Sequence, residues 1–142
     1  MSQDKFQLFE LGMQASSSHI ITEENIQSFS QISGDFNPIH IDEEYAKNTN
    51  FGKKIAHGLI SASFFSGLFG TKLPGISSLY VSQSLKFLRP VYIGDEVIAT
   101  VRIKKIDAVS RHIHFDTICI VRDKKVIAGV AEIFYPLETN DE

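Results

Sequence analysis

"GLISASFFSGLFG", residues 58–70, carries no charge over thirteen positions and mixes small residues with large apolar ones. A helix that is apolar all round must be buried on nearly every side. Ala62, Ser63, Ser66 and Gly67 are small enough for neighbouring backbone to come close, and the flanking Gly58 and Gly70 suit the two ends of such an element. Something else in the chain has to wrap it.

The sequence after Ser77 supplies the wrapping. β-branched and aromatic residues dominate SLYVSQSLKFLRPV (78–91), EVIATVRIKKI (96–106), RHIHFDTICIV (111–121) and KVIAGVAEIFY (125–135). Turn signals separate these runs at Ile93-Gly94-Asp95, Asp107-Ala108 and Arg122-Asp123-Lys124. Short connections make antiparallel neighbours, so the runs read as a meander. A further strand is expected near residues 13–20.

Ahead of the apolar run the signals are helical. Thr22 is a good N-cap, and Glu23 and Glu24 follow at the positive end of the helix dipole. Ile26, Phe29 and Ile32 or Ser33 recur at helical spacing until Gly34, and a second short helix fits Asp42 to Lys47. The reading is one α+β domain over residues 1–142, an antiparallel sheet curled around one long central helix. The outer sheet face must then be solvated or paired with another chain, which predicts a homodimer.

Composition narrows the function. The formal charge is −3, with 22% charged and 43% hydrophobic residues. That offers no basic footprint for nucleic acid. The apolar runs fall short of the roughly 20 residues a membrane span needs. The N-terminal MSQDKFQLFELG is polar and acidic, unlike a signal peptide. The lone Cys119 cannot form an internal disulfide, which suits a reducing cytosol and a cytoplasmic location. Lying in TICIV, it reads as a buried, inert thiol.

The polar island SGDFNPIH, residues 33–40, is the candidate site. Pro38 fixes its own backbone angle and pushes Asn37 out of the helical region, so the segment bends. A bent segment can aim Asp35 and His40 into one space, which straight helical spacing of five does not allow.

Phe29-Ser-Gln-Ile-Ser-Gly-Asp35-Phe-Asn37-Pro38-Ile-His40, with Ala46 following, resembles the hydratase-2 signature of MaoC-like (R)-specific enoyl-CoA hydratases. Ile55-Ala-His57-Gly58 through Ser66-Gly67-Leu-Phe-Gly70 is similar to that family's central helix. Gln83-Ser-Leu-Lys-Phe and Pro90-Val-Tyr-Ile-Gly94-Asp95-Glu-Val also look like family sequence. The three blocks agree in order over roughly residues 8 to 135. The resemblance implies a hot-dog fold, usually dimeric, acting on an acyl-CoA thioester with no metal or other cofactor.

It also implies the roles. Hydrating a trans-2-enoyl thioester needs a base for the attacking water and a proton at C2, each step worth about 10²–10⁴-fold. By resemblance, Asp35 and His40 are that pair, with Asp35 activating the water and His40 carrying the proton, or the two roles exchanged. Gly58, where the helix should begin, corresponds to the oxyanion-hole donor. Ser66 aligns with a serine near the family's catalytic pair, and it also reads as a small helix-packing residue. Asn37 braces the turn. His57 either touches the site or caps the helix. Phe64, Phe65, Leu68 and Phe69 suggest apolar lining for an acyl tunnel.

Other signals are weaker. His112 and His114 share one strand face, which reads as solvated rather than metal-binding. Lys86 and Arg89 read as a charged edge near a strand end. GxGxxG, GxxxxGK[ST] and G-x-S-x-G motifs are absent. Two rivals to the hydratase reading are 3-hydroxyacyl-acyl-carrier-protein dehydration on the same scaffold and non-catalytic binding of acyl thioesters.

Overall fold

A computed structural model describes residues 4–138, so the first three residues of the polar N-terminal stretch and the last four of the chain lie outside the described residues. Strand β1 (Gln14–Ile20) fills the region expected near 13–20. Helix α1 (Glu23–Ser33) then starts at Thr22, whose hydroxyl accepts from the Asn25 N–H at 3.1 Å while Asn25 Oδ1 accepts from the Thr22 N–H at 2.9 Å. This reciprocal box satisfies two of the donors a helix start leaves over. Gly34 ends α1 at φ 79°, a left-handed value that glycine adopts without steric cost.

The central helix α4 (Gly58–Thr71) is one residue longer than the apolar run. Phe65, Leu68 and Phe69 face the sheet at 2% exposure or less. Phe69 packs edge-on to Phe115, with ring centroids 4.7 Å apart. Burial on nearly every side is not what the structure shows, however. Leu59 is 52% exposed, and Ser63, Ser66 and Gly67 are also exposed. The small residues therefore form an open stripe along the helix.

The sheet is antiparallel, in the order β1, β4 (Glu96–Asp107), β5 (His112–Val121), β6 (Lys124–Phe134) and β2 (Leu79–Gln83), with β3 (Lys86–Phe87) also on β6, and it wraps α4 through β1, β4, β5 and β6. Strands β4 (Glu96–Asp107), β5 (His112–Val121) and β6 (Lys124–Phe134) form the expected meander. Alternation sets the two faces. Val97, Ala99, Val101 and Ile103 of β4 point inward, as do Ile113, Phe115, Thr117 and Cys119 of β5. Cys119 is fully buried, and burial pushes its thiol pKa up to about 12. His112 lies on the other side of β5 and pairs with Glu132.

The run at 78–91 is not one strand. It divides into β2 (Leu79–Gln83) and β3 (Lys86–Phe87). The cause lies across the sheet at Gly129. A Cβ there would stand 1.9 Å from the Ser84 carbonyl oxygen, so the chain dips into space that only glycine leaves free. No helix among the described residues is long and apolar enough to cross a membrane.

Candidate active site

Asp35 follows directly on Gly34. Its Oδ1 accepts from the Asn37 N–H at 3.1 Å, and Asn37 Oδ1 accepts from the Ile39 N–H at 3.3 Å. Asn37 is thus the N-cap, and Pro38 the first residue, of a one-turn helix α2 (Pro38–Ile41). The sequence suggested only a bend here. The missed signal was the pair itself, since asparagine at N-cap and proline at N1 is a helix start. A third short helix, α3 (Glu43–Lys47), follows with Asp42 as its cap.

The helical turn places His40 at 9% exposure with Nδ1 2.7 Å from the Ile55 carbonyl oxygen. A carbonyl only accepts, so Nδ1 carries the proton and Nε2 is the exchangeable position. His57 immediately precedes α4 but makes no side-chain cap bond. Its Nε2–H instead donates to the Asp35 carbonyl at 3.1 Å, with Ser30 Oγ 3.3 Å away. The His57 ring stacks on His40 at 3.9 Å between centroids. Burial holds His57 below the ordinary imidazole pKa. Its Nδ1 has no hydrogen-bond partner among the described residues.

Ser30 escaped the sequence reading. It is a buried polar residue at 1% exposure on the inner side of α1. Helical spacing of Ile26 and Phe29 marks that side, but a serine there looks like ordinary packing.

One ligand-type atom from each of Asp35, His40 and His57 lies within 4.8 Å of the others. This trio has metal-ligand chemistry, although His40 Nδ1 and His57 Nε2 are already engaged with main-chain carbonyls. The same three side chains and Gly58 form the polar end of a cavity of about 490 Å³. Phe29, Phe51, Leu88 and Val91 contribute its apolar wall. Gly58 opens α4, so its N–H is one of those a helix leaves without an internal partner. A Cβ at Gly58 would lie 2.5 Å from Cδ1 of Phe87, so the missing side chain is what lets β3 close over the helix start. Ser61 also lines the cavity, with a fully buried hydroxyl that has no partner among the described residues.

Ser66 is elsewhere. It lines an open groove between α4 and β2, with Ala62, Ser63 and Tyr80. Neither do the helix phenylalanines line the chamber. Phe64 stacks on His19 at 3.8 Å, and Phe65, Leu68 and Phe69 belong to the core. Helix phase decides this: Gly58, Leu59 and Ser61 turn toward the cavity, and the aromatic side turns toward the sheet.

A helix wrapped by an antiparallel sheet, with a carboxylate and an imidazole beside its amino end, defines a hot-dog fold. The MaoC like domain model matches residues 8–128, and the chain belongs to that family. It is 44% identical over 131 residues to an (R)-specific enoyl-CoA hydratase of Rhodospirillum rubrum, covering 92% of this chain and 91% of the relative. It is 36% identical over 132 residues to a mitochondrial 3-hydroxyacyl-[acyl-carrier-protein] dehydratase of Solanum lycopersicum, covering 91% and 79%. Among solved structures, the (R)-hydratase from A. caviae involved in PHA biosynthesis superposes with a TM-score of 0.89 at 36% identity, covering 92% of this chain and 99% of that one.

Proposed function

We propose that this chain adds water reversibly to trans-2-enoyl-CoA, giving (R)-3-hydroxyacyl-CoA. The observation that carries the reading is the Asp35 carboxylate and His40 imidazole, within 4.8 Å of each other in the cavity that Gly58 also lines. The likeness to (R)-specific hydratases over nine-tenths of the chain supports it.

Asp35 accepts a proton from water as its oxygen bonds to C3. Protonated His40 gives Nε2–H to C2, and the proton on Asp35 then returns to His40. The pair ends as it began, and water has been added across the double bond. The Ile55 carbonyl keeps the opposite nitrogen of His40 occupied, so the ring presents one working atom. Charge developing on the thioester oxygen meets the Gly58 N–H and the positive end of α4. A donor of this kind is typically worth about 2.7–4 kcal/mol. Asn37 holds the loop, and His57 fixes Asp35 and His40 together.

The chain works as a single domain in the cytoplasm and pairs with a second copy. The edge strand β2, with Leu79, Tyr80 and Val81 exposed, and the open stripe of α4 support pairing along that side. Ser66 would then be covered by the partner.

Loss of crotonyl-CoA absorbance tests the activity. Asp35→Asn and His40→Gln, each folded by circular dichroism, should lose about 10²-fold or more in kcat. Undiminished rates in both variants overturn the mechanism. Dehydration of a carrier-protein thioester is the same chemistry in reverse, and kinetics with both carriers separate the two.

A further inference from the structure

Ser61 sits one turn into α4, three residues after Gly58, and borders the same cavity. It is fully buried, and its hydroxyl has no hydrogen-bond partner among the described residues. A serine or threonine inside a helix ordinarily bonds back to a main-chain carbonyl of the preceding turn. Ser63 and Thr71 of α4 do so, at 2.5 Å to the Ile60 carbonyl and 2.7 Å to the Gly67 carbonyl. Ser61 does not. Its hydroxyl is a donor left over in the cavity wall, and such a group costs stability unless something satisfies it.

Helix geometry sets its direction. A helical side chain leans toward the amino end and covers the turn before its own Cα. For Ser61 that turn is the one Gly58 opens, and Gly58 has no side chain to fill the space. The Gly58 N–H, which a helix start leaves without an internal partner, and the Ser61 O–H are therefore two donors at one helix end. The mounting is firm. From the sheet side, the buried Cys119 thiol donates to the Ser61 main-chain carbonyl at 3.6 Å. Donors fixed in advance stabilise charge without reorganising as it develops.

We propose that the Ser61 hydroxyl donates to the thioester oxygen of the substrate, beside the Gly58 N–H. The inference rests on the hydratase reading above. As the water oxygen bonds to C3, the C2–C3 π pair shifts toward C1 and the thioester oxygen gains charge. That charge returns when C2 takes its proton from His40. Ser61 keeps its own proton throughout and acts only on the barrier.

Ser61→Ala removes the donor and leaves the helix. Its kcat should fall about 10²-fold with KM little changed, because the bond strengthens only as the oxygen gains charge. Its melting temperature should hold or rise, since an unpartnered buried hydroxyl has been removed. Ser61→Cys fills the same place with a weak donor and should stay near the alanine variant in kcat. Isotope-edited infrared spectroscopy of bound butyryl-CoA, labelled with carbon-13 at C1, reads the same bond without turnover. That thioester has no C2–C3 double bond to hydrate. Its carbonyl band should lie at lower frequency on the unaltered protein than on Ser61→Ala.

An unchanged kcat in Ser61→Ala overturns the proposal. A cysteine variant as active as the unaltered protein also overturns it, because side-chain volume would then be what matters. A loss of activity that tracks a loss of melting temperature assigns Ser61 to packing, with the same consequence. If Ser61 shifts the butyryl-CoA band but no enoyl-CoA is hydrated, the hydratase reading fails alone. Hydration with the same band position in both proteins defeats the Ser61 assignment alone.

Discussion

His57 and His40 lie face to face, their ring centroids 3.9 Å apart and their planes 27° from parallel. The same His57 donates to the main-chain carbonyl of Asp35, so one buried ring touches both Asp35 and His40.

The two contacts of His57 can be separated. Glutamine places an amide N–H near the position of Nε2 but has no ring, whereas phenylalanine keeps the ring and loses the donor. If the bond to Asp35 sets the pair, His57→Phe should lose on the order of 10²-fold in kcat with KM little changed, as a misplacement of about 1 Å does. His57→Gln should keep activity within about tenfold. Melting temperature should rank the other way, because phenylalanine removes the buried, unpartnered Nδ1. A purely structural role predicts that activity follows stability.

Acid should destabilise the protein through this ring. Burial lowers the His57 pKa below the ordinary imidazole value of about 6.5, so in that window the unfolded chain binds the extra proton. The stability is fully present above about pH 6.5 and is lost as pH falls through the lower folded value. Thermal melts at pH 7.5 and 5.5 should show a smaller acid-induced drop for His57→Gln than for the unaltered protein. His19, also held low by burial, keeps some of the drop in both. Identical drops would dismiss the effect.

Gly58 is guarded by the ring of Phe87. Gly58→Ala retains the N–H but sets a methyl 2.5 Å from Cδ1 of that ring. The ring must swing, and because Phe87 lines the cavity, its movement reshapes the cavity wall. Steady-state kinetics should show about a tenfold loss in kcat/KM for Gly58→Ala, given the sensitivity of reacting geometry. Adding Phe87→Ala should restore most of it. A single variant indistinguishable from the unaltered protein would show that the close approach has no catalytic consequence.

Pairing along β2 is open to a direct check. Val81 is 49% exposed on that edge strand. Charge on an exposed edge blocks strand addition. Val81→Lys should therefore shift the protein from dimer to monomer by light scattering, with its melting transition still cooperative. A monomeric unaltered protein would refute the pairing.

Much of this architecture was legible because it rests on local rules. Thr22, Gly34 and the uncharged stretch at 58–70 mark their elements through caps, backbone freedom and burial, and the meander follows from its short turns. The break at Ser84 was not legible, since it depends on a glycine forty-five residues later. At the site, Asp35, His40 and Gly58 line one cavity; the bend argued for Asp35 and His40 facing one space, while Gly58 came with the resemblance. Ser30 was hidden because a buried serine bonded to an imidazole has no periodic signature. The placing of Ser66 and the helix phenylalanines needed the rotation of α4 about its axis, which a run apolar on all sides does not encode.

The dip at Ser84 has a further meaning for how this chain tolerates change. Position 129 admits no methyl group, and β3 joins β6 only two residues away, at Ile127 opposite Phe87. A substitution at Gly129 would thus unseat Phe87 from the cavity wall although Gly129 itself does not line the cavity. The shape of the cavity then depends on a residue that has no side chain and lies on a different strand.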